Sequence, residues 1–327
     1  MRRLNNLLPL LTFAGFLFAQ NPPAQNPPAK PPAADDQGDI PTFRTDLNLV
    51  VLHASVLDKS GKLITTVPQT AFHVFENSVE QPIKLFRRED VPVSMGIIID
   101  NSGSMRDKRQ KVAAASMAMV KASNPQDEVF IVNFNDDAYL DQPFTNDNKK
   151  LEQALDKIDS KGGTAMRDAI SMAIDYVKDK GKREKKVLLV VTDGNDNTSN
   201  ESLEQVVRKA RQSEVLIYSI GLLSEEEPRE ASKAKRALKA LAEASGGNVY
   251  YPKDLAEVDK ITPQVAHEIR NQYILAYLPT NATLDGSFRK INVTVKGFGN
   301  PTVRTRNGYY ATPAAAPKPA RASNAAQ

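Results

Sequence analysis

Residues 93–104 read Val-Ser-Met-Gly-Ile-Ile-Ile-Asp-Asn-Ser-Gly-Ser, and residues 186–194 read Lys-Val-Leu-Leu-Val-Val-Thr-Asp-Gly. Each is an apolar run that ends in an aspartate. The second run is nearly continuous in β-branched residues, as expected of a central parallel strand with both faces covered. Segments with helical period alternate with such runs from residue 93 to residue 270. Residues 107–122 and 149–158 have helical character. Met166–Lys180 repeats apolar residues at Met166, Ile170, Ala173, Ile174 and Val177, which gives a helix one buried face. Leu203–Glu214, Ala231–Ala244 and Asp254–Arg270 read as further helices, and Ser245-Gly246-Gly247 as a helix stop.

The strands read between them are Val93–Ile99, Glu128–Asn133, Ala138–Phe144, Lys186–Thr192, Val215–Leu222 and Asn248–Pro252. Strands alternating with helices predict an α/β fold, a doubly wound, mostly parallel six-stranded sheet of Rossmann-like topology. The turn Asn135-Asp136-Asp137 is too short for a crossover, so the third strand pairs antiparallel and belongs at an edge. In the common order 3-2-1-4-5-6 the sheet reverses between strands one and four. Asp100 and Asp193 end those two strands, so two carboxylates meet at one crevice from distant parts of the chain.

Both flanks of this layer are strand-rich. Leu47–Leu57, Ala71–Glu76 and Ile83–Arg87 lie before it, and Tyr273–Leu278, Phe288–Lys296 and Thr302–Arg306 after it. Neither set is large enough to be stable alone. Residues 43–90 and 272–310 are therefore expected to pair into one small β-sandwich, with residues 92–270 inserted between them.

The ends are of a different kind. Arg2 and Arg3 precede an apolar stretch from Leu7 to Phe18, and Ala19 is a small residue at a cut site, so residues 1–19 read as a secretory signal peptide. Residues 20–41 repeat QNPPA and read as a proline-rich linker, and residues 311–327 as a tail of similar composition without a core of its own. No later segment is apolar enough to cross a bilayer. A secreted or periplasmic location follows as the expectation.

Composition removes several classes of function. The 327 residues include no cysteine, which excludes disulfides, thiolate nucleophiles and cysteine zinc sites. Histidine occurs only at 53, 73 and 267, which leaves little for histidine-based catalysis or metal binding. His53 and His73 alternate with apolar neighbours and read as packing or surface residues. The formal charge of +4 falls to +2 (4 − 2) without Arg2 and Arg3, too small an excess to argue for nucleic acid.

The chemistry is concentrated in one set. Asp100, Ser102 and Ser104 stand at alternate positions. An extended chain would spread the outer two over roughly 13 Å, so the loop must curl, which Gly103 makes easy, before these oxygens can converge. Gly162-Gly163-Thr164 opens the helix at Met166 and offers another hydroxyl, and Thr192-Asp193-Gly194 supplies the second carboxylate. Two carboxylates and three hydroxyls form a hard, all-oxygen donor set that suits Mg²⁺, with Mn²⁺ or Ca²⁺ as substitutes. They do not fill the coordination shell, so water or an oxygen from a partner completes it. The structural alternative is that Asp100 and Ser102 cap a helix and Asp193 only ends a strand.

These residues, in this order and on these strand ends, resemble the metal-ion-dependent adhesion site of von Willebrand factor A domains. The flanking segments Thr70–Asn77 and Arg304–Tyr310 resemble those of a bacterial secreted subgroup. The resemblance implies binding rather than turnover. It assigns metal contact to Ser102, Ser104 and Thr164, direct or water-mediated contact to Asp100 and Asp193, and the last ligand to a carboxylate presented by a protein partner. The implied function is a non-enzymatic module for adhesion or complex assembly. The alternatives are a metal-dependent phosphohydrolase using Asp100 as nucleophile, with Arg106 offered to phosphate, and a structural subunit with a vestigial site. A serine hydrolase is disfavoured, because no histidine lies between His73 and His267. The partner and the oligomeric state are not readable from the sequence.

Other polar stretches read as bland. Asn195–Asn200 is expected to be a solvated loop, Asp168 a cap residue in the first turn of its helix, where the dipole favours an acid, and Ser224–Glu230 an exposed helix start.

Overall fold

The computed structural model describes residues 49–313, apart from residues 89, 122–123 and 157–159. The stretches read as a signal peptide and a linker, and the tail beyond residue 313, lie outside the described residues.

Four strands come first: β1 (Val50–Leu57), β2 (Phe72–Glu76), β3 (Val79–Gln81) and β4 (Ile83–Arg87). The central run is β5 (Val93–Asp100), α1 (Arg109–Lys121), β6 (Glu128–Phe134), β7 (Ala138–Thr145), α2 (Asn148–Asp156), α3 (Met166–Lys180), β8 (Lys185–Thr192), α4 (Leu203–Ser213), β9 (Leu216–Gly221), α5 (Pro228–Ser245), β10 (Val249–Tyr250) and α6 (Leu255–Arg270). The chain closes with β11 (Tyr273–Tyr277), β12 (Phe288–Val295), β13 (Thr302–Arg304) and β14 (Gly308–Tyr310).

The central sheet has six strands in the order β10-β9-β8-β5-β6-β7. It is mixed: β7 runs antiparallel to β6 at one edge, and the other pairings are parallel. The alternation of side chains along a strand explains the apolar runs. In β5, Val93, Met95, Ile97 and Ile99 join one cluster, with Val112 of α1 and Val265 of α6. Ile98 faces the opposite cluster, with Ile170 of α3, Val206 of α4 and Leu238 of α5. β8 divides in the same way, Val187, Leu189 and Val191 on one face and Leu188 and Val190 on the other. A strand covered on both faces has no polar side to show. Gly96 interrupts the run for a steric reason, since a Cβ there would lie 2.3 Å from the ring of Phe130.

The flanks form two four-stranded sheets, β13-β1-β11-β4 and β14-β12-β2-β3. Each takes strands from both ends of the chain. β1 pairs with β11 through Val50↔Tyr277 to Ala54↔Tyr273, and β12 with β2 through Ile291↔Glu76 to Val295↔Phe72. Inward residues of both sheets, among them Leu52, Val56, Phe72, Val74, Leu275 and Val293, make one apolar cluster.

Two strands escape the sequence reading. Between the strands read at 71–76 and 83–87 lies β3, which forms because Asn77 and Ser78 adopt left-handed φ values of 47° and 69° and close the hairpin within two residues. β14 has three residues and no alternating pattern, and it pairs with β12 from Phe288↔Tyr310 to Lys290↔Gly308. Among the described residues no helix is long and apolar enough to cross a membrane.

Candidate functional site

The register of β5 against β8 sets the site. Ile99 lies opposite Val191, so Asp100 and Thr192 leave the sheet side by side. The Thr192 hydroxyl donates to Asp100 Oδ2 at 2.6 Å, and the Ser102 amide donates to Asp100 Oδ1 at 2.9 Å. Asp100 is fully buried, and burial pushes its carboxyl up to about 6 against the lowering effect of the bonds from Ser102 and Thr192.

After Asp100 the chain curls into a short 3-10 turn, Gly103–Met105, before α1. The curl brings Ser102 Oγ to 3.2 Å from Ser104 Oγ, and Ser104 Oγ donates to Asp193 Oδ1 at 2.9 Å. Asp193 is 2% exposed. Asp100, Ser102, Ser104 and Asp193 thus form a linked set of oxygens.

Thr164 reaches the same crest by another route. The amide of Gly103 donates to the Gly162 carbonyl at 3.3 Å, and the amide of Lys161 to the Asn101 carbonyl at 3.0 Å. Gly162 has φ +77°, and a Cβ there would lie 2.2 Å from Asp136 Oδ2, so the left-handed backbone and the close carboxylate both require glycine. Asp136 Oδ1 accepts from the Gly163 amide at 2.7 Å, and Asn197 Oδ1 from the Thr164 amide at 2.9 Å. No hydrogen bond joins Thr164 itself to the other four residues.

A hydrogen-bonded oxygen set is also the geometry of a cation shell. Ligands at right angles with bonds near 2.1 Å stand about 3.0 Å apart. The 2.9 Å and 3.2 Å separations at Ser104 fit such edges. The donors are all hard oxygens, and the described residues hold no group of three or more histidines, cysteines or acids that could bind a metal in another way.

Several residues that shape the site carried no signal in the sequence. The loop 195–200, read as solvated, is a latch: Asp196 accepts from the Arg167 amide at 2.7 Å and pairs with the Arg167 guanidinium at 2.8 Å, while Asn197 holds Thr164. Asp168 does not cap its own helix. Its carboxylate accepts from the amides of Asn200 and Glu201 at 2.8 Å and 2.9 Å. Asn101 accepts from Ser160 at 3.2 Å and from Arg109, a buried guanidinium, at 3.4 Å. Lys108 reaches Asp193 Oδ2 at 2.8 Å and Glu225 Oε2 at 3.2 Å. Burial opposes the charge on Lys108, but the carboxylates of Asp193 and Glu225 outweigh it and its pKa is raised.

The histidines lie elsewhere. His73 meets Glu80 across the β2–β3 hairpin at 2.6 Å, His53 is on β1, and His267 contacts Asn271 at the end of α6.

The description of the von Willebrand factor type A domain matches residues 95–264, just over half of the chain. The chain belongs to the von Willebrand factor type A family. An uncharacterized protein of Borreliella burgdorferi is 25% identical over 210 residues, 63% of this chain and 60% of that protein, so the chain spans only about 60% of that relative's length. Among solved structures, a von Willebrand factor type A protein from Catenulispora acidiphila aligns with 78% of this chain and 71% of its own, at 14% identity and a TM-score of 0.49. The von Willebrand factor domain of the type V pilus tip protein of Porphyromonas gingivalis aligns with 56% of this chain and 97% of its own, at 13% identity and a TM-score of 0.45. The PilB minor pilin of Streptococcus sanguinis aligns with 58% of this chain and 63% of its own, at 14% identity and a TM-score of 0.46.

Proposed function

We propose that this chain is a secreted or periplasmic protein-binding module for adhesion or complex assembly, working through a divalent cation held at the crest of the type A layer. The cation is Mg²⁺ by the hardness of the donors, with Mn²⁺ or Ca²⁺ able to replace it. The observation that carries the reading is the linked oxygen set Ser102–Ser104–Asp193 beside buried Asp100, with separations of 2.9 Å and 3.2 Å. Ser102, Ser104 and Thr164 would offer hydroxyls, and Asp100 and Asp193 the balancing charge. When bound, the cation supplies an open position that accepts a carboxylate of the partner. The flanking sheets form a β-sandwich built from both ends of the chain, and the type A layer is its insertion.

The geometry favours binding over turnover. Both oxygens of Asp100 already accept hydrogen bonds, and the side chain is buried, which makes it a poor nucleophile. Arg106, the side chain a phosphate reading would need, donates to the Ser160 carbonyl at 3.4 Å.

The test is capture of envelope proteins on the immobilised chain in Mg²⁺ and in EDTA. Capture is expected in Mg²⁺ alone, and to be lost in Ser102→Ala and Thr164→Ala. Mg²⁺ at a hundredfold its dissociation constant should stabilise the wild type by about 2.7 kcal/mol and these variants by much less. Capture that survives EDTA, or variants that capture as well as wild type, would separate binding from the crest.

A further inference from the structure

Lys108 precedes α1, outside the donor set, and nothing in the mechanism above uses it. Its position is nevertheless fixed. The Lys108 amide donates to the Met105 carbonyl at 2.9 Å, and its carbonyl accepts from the Val112 amide at 3.1 Å, which ties its backbone to the turn that carries Ser104. The side chain is 14% exposed, and it reaches the Asp193 carboxylate, whose side chain is 1% exposed. Asp193 Oδ1 is engaged by Ser104 and Oδ2 by Lys108, so Asp193, like Asp100, has both oxygens occupied by groups of the chain. Glu225 is the second acceptor for the same ammonium, with its side chain 75% exposed at 3.2 Å.

We propose that Lys108 is a resident counter-ion that competes with the divalent cation for Asp193, and that Glu225 holds its ammonium when the cation enters. This inference rests on the crest being a cation site. A cation placed against Ser104 and Asp193 comes within a few ångströms of a fixed positive charge, and Asp193 cannot give both oxygens to it while Lys108 keeps one. Loading is therefore an exchange of one cation for another. The ammonium needs a destination, and the acidic segment Glu225–Glu227 ahead of α5 provides it: Glu225 already touches Lys108, and the Glu226 carboxylate approaches within 3.7 Å of where a Cβ on Gly194 would lie. The consequence is a site of modest cation affinity set by a residue that is not a ligand.

The experiment is calorimetric binding of MnCl₂ and MgCl₂ to the full chain after EDTA treatment and exchange, at fixed pH and ionic strength, for wild type, Lys108→Met, Lys108→Arg and Glu225→Gln. Removing the charge in Lys108→Met should tighten Mn²⁺ binding about tenfold or more. Lys108→Arg should return the affinity toward wild type, and Glu225→Gln should weaken binding several-fold because the ammonium loses its second acceptor. Wild-type affinity in either Lys108→Met or Glu225→Gln overturns the counter-ion and leaves the cation site standing, as does weaker binding in Lys108→Met. No Mn²⁺ or Mg²⁺ binding by any of the four proteins overturns the cation site and the counter-ion together. Glu225 is exposed, so its variant keeps the proposal open to refutation even where Lys108→Met does not fold.

Discussion

Glu76, between the flanking sheets, and Asp193, at the crest of the central sheet, are buried alike, at 4% and 2% exposure. Their surroundings differ in one respect. Glu76 accepts from Arg289 at 3.0 Å, Tyr277 at 2.8 Å and Tyr309 at 2.9 Å. Arg289 is itself 1% exposed and also donates to the carbonyls of Asn281 and Thr283. That charge is closed from inside. Asp193 is closed from outside, by exposed Ser104 and by Lys108, which has a second acceptor to move to. A buried acid whose partners cannot leave serves stability. A buried acid whose partners sit at the surface can exchange them for a ligand.

The largest effect that tests the contrast is at Arg289. Arg289→Met leaves Glu76 buried without its cation, and removal of one partner from a buried pair costs about 3–5 kcal/mol. Urea unfolding should show this loss, with Mg²⁺ binding at the crest unchanged. A loss under about 1 kcal/mol would mean that Glu76 is as exchangeable as Asp193, and the contrast would collapse.

A third buried charge sharpens it. Lys185 opens β8, at the end of the sheet away from the crest, and is 3% exposed. Its Nζ donates to the Ile269 carbonyl rather than to a carboxylate. Burial brings its pKa down to about 7, with Glu268, Asp90 and Asp127 only partly offsetting the effect. In the unfolded chain a lysine titrates near 10.4. Between these values the unfolded state binds more protons, so stability rises with pH. From pH 7.5 to 9.5 the folded state should gain on the order of 1–2 kcal/mol, and Lys185→Met should flatten the curve. Stability that stays level in wild type over that window would show that Lys185 keeps its charge inside. His53, whose pKa burial lowers, and Asp100 titrate below this window.

Much of the fold was legible because it rests on local rules. The stretches 95–99 and 187–191 carry no polar side chain, as a two-faced strand demands, and the short turn at Asn135–Asp137 left no alternative to an antiparallel edge for β7. The positions of Asp100 and Asp193 followed from topology alone. β3 and β14 were not legible, since Val79-Glu80-Gln81 and Gly308-Tyr309-Tyr310 are short and show no alternation of apolar and polar residues. At the crest, the five donors stand in short motifs, but what holds them does not. Lys108 meets Asp193 across 85 residues, and Asn197 meets Thr164 across 33. A charged residue at a helix start and an asparagine in a polar loop look like solvent-facing residues until the fold brings their partners to them.

The smallest effect is the most exact test of an exchangeable shell. Ser104 donates to Asp193 at 2.9 Å but is itself exposed, so water can replace its hydroxyl without leaving a buried oxygen unpaired. Lys108 also remains on the other oxygen of Asp193. Ser104→Ala in EDTA should therefore stay within about 0.5 kcal/mol of wild type in urea unfolding, as surface changes usually do. The same variant should lose most of the stabilisation expected of Mg²⁺ in the wild type, because water replaces a hydrogen-bond donor more easily than a ligand fixed in place. A cost above about 1 kcal/mol in EDTA would show that the crest hydroxyls hold the fold as Tyr277 and Tyr309 do around Glu76. Asp193 would then be a structural acid of the same kind, and the oxygen set at the crest would have its explanation without a cation.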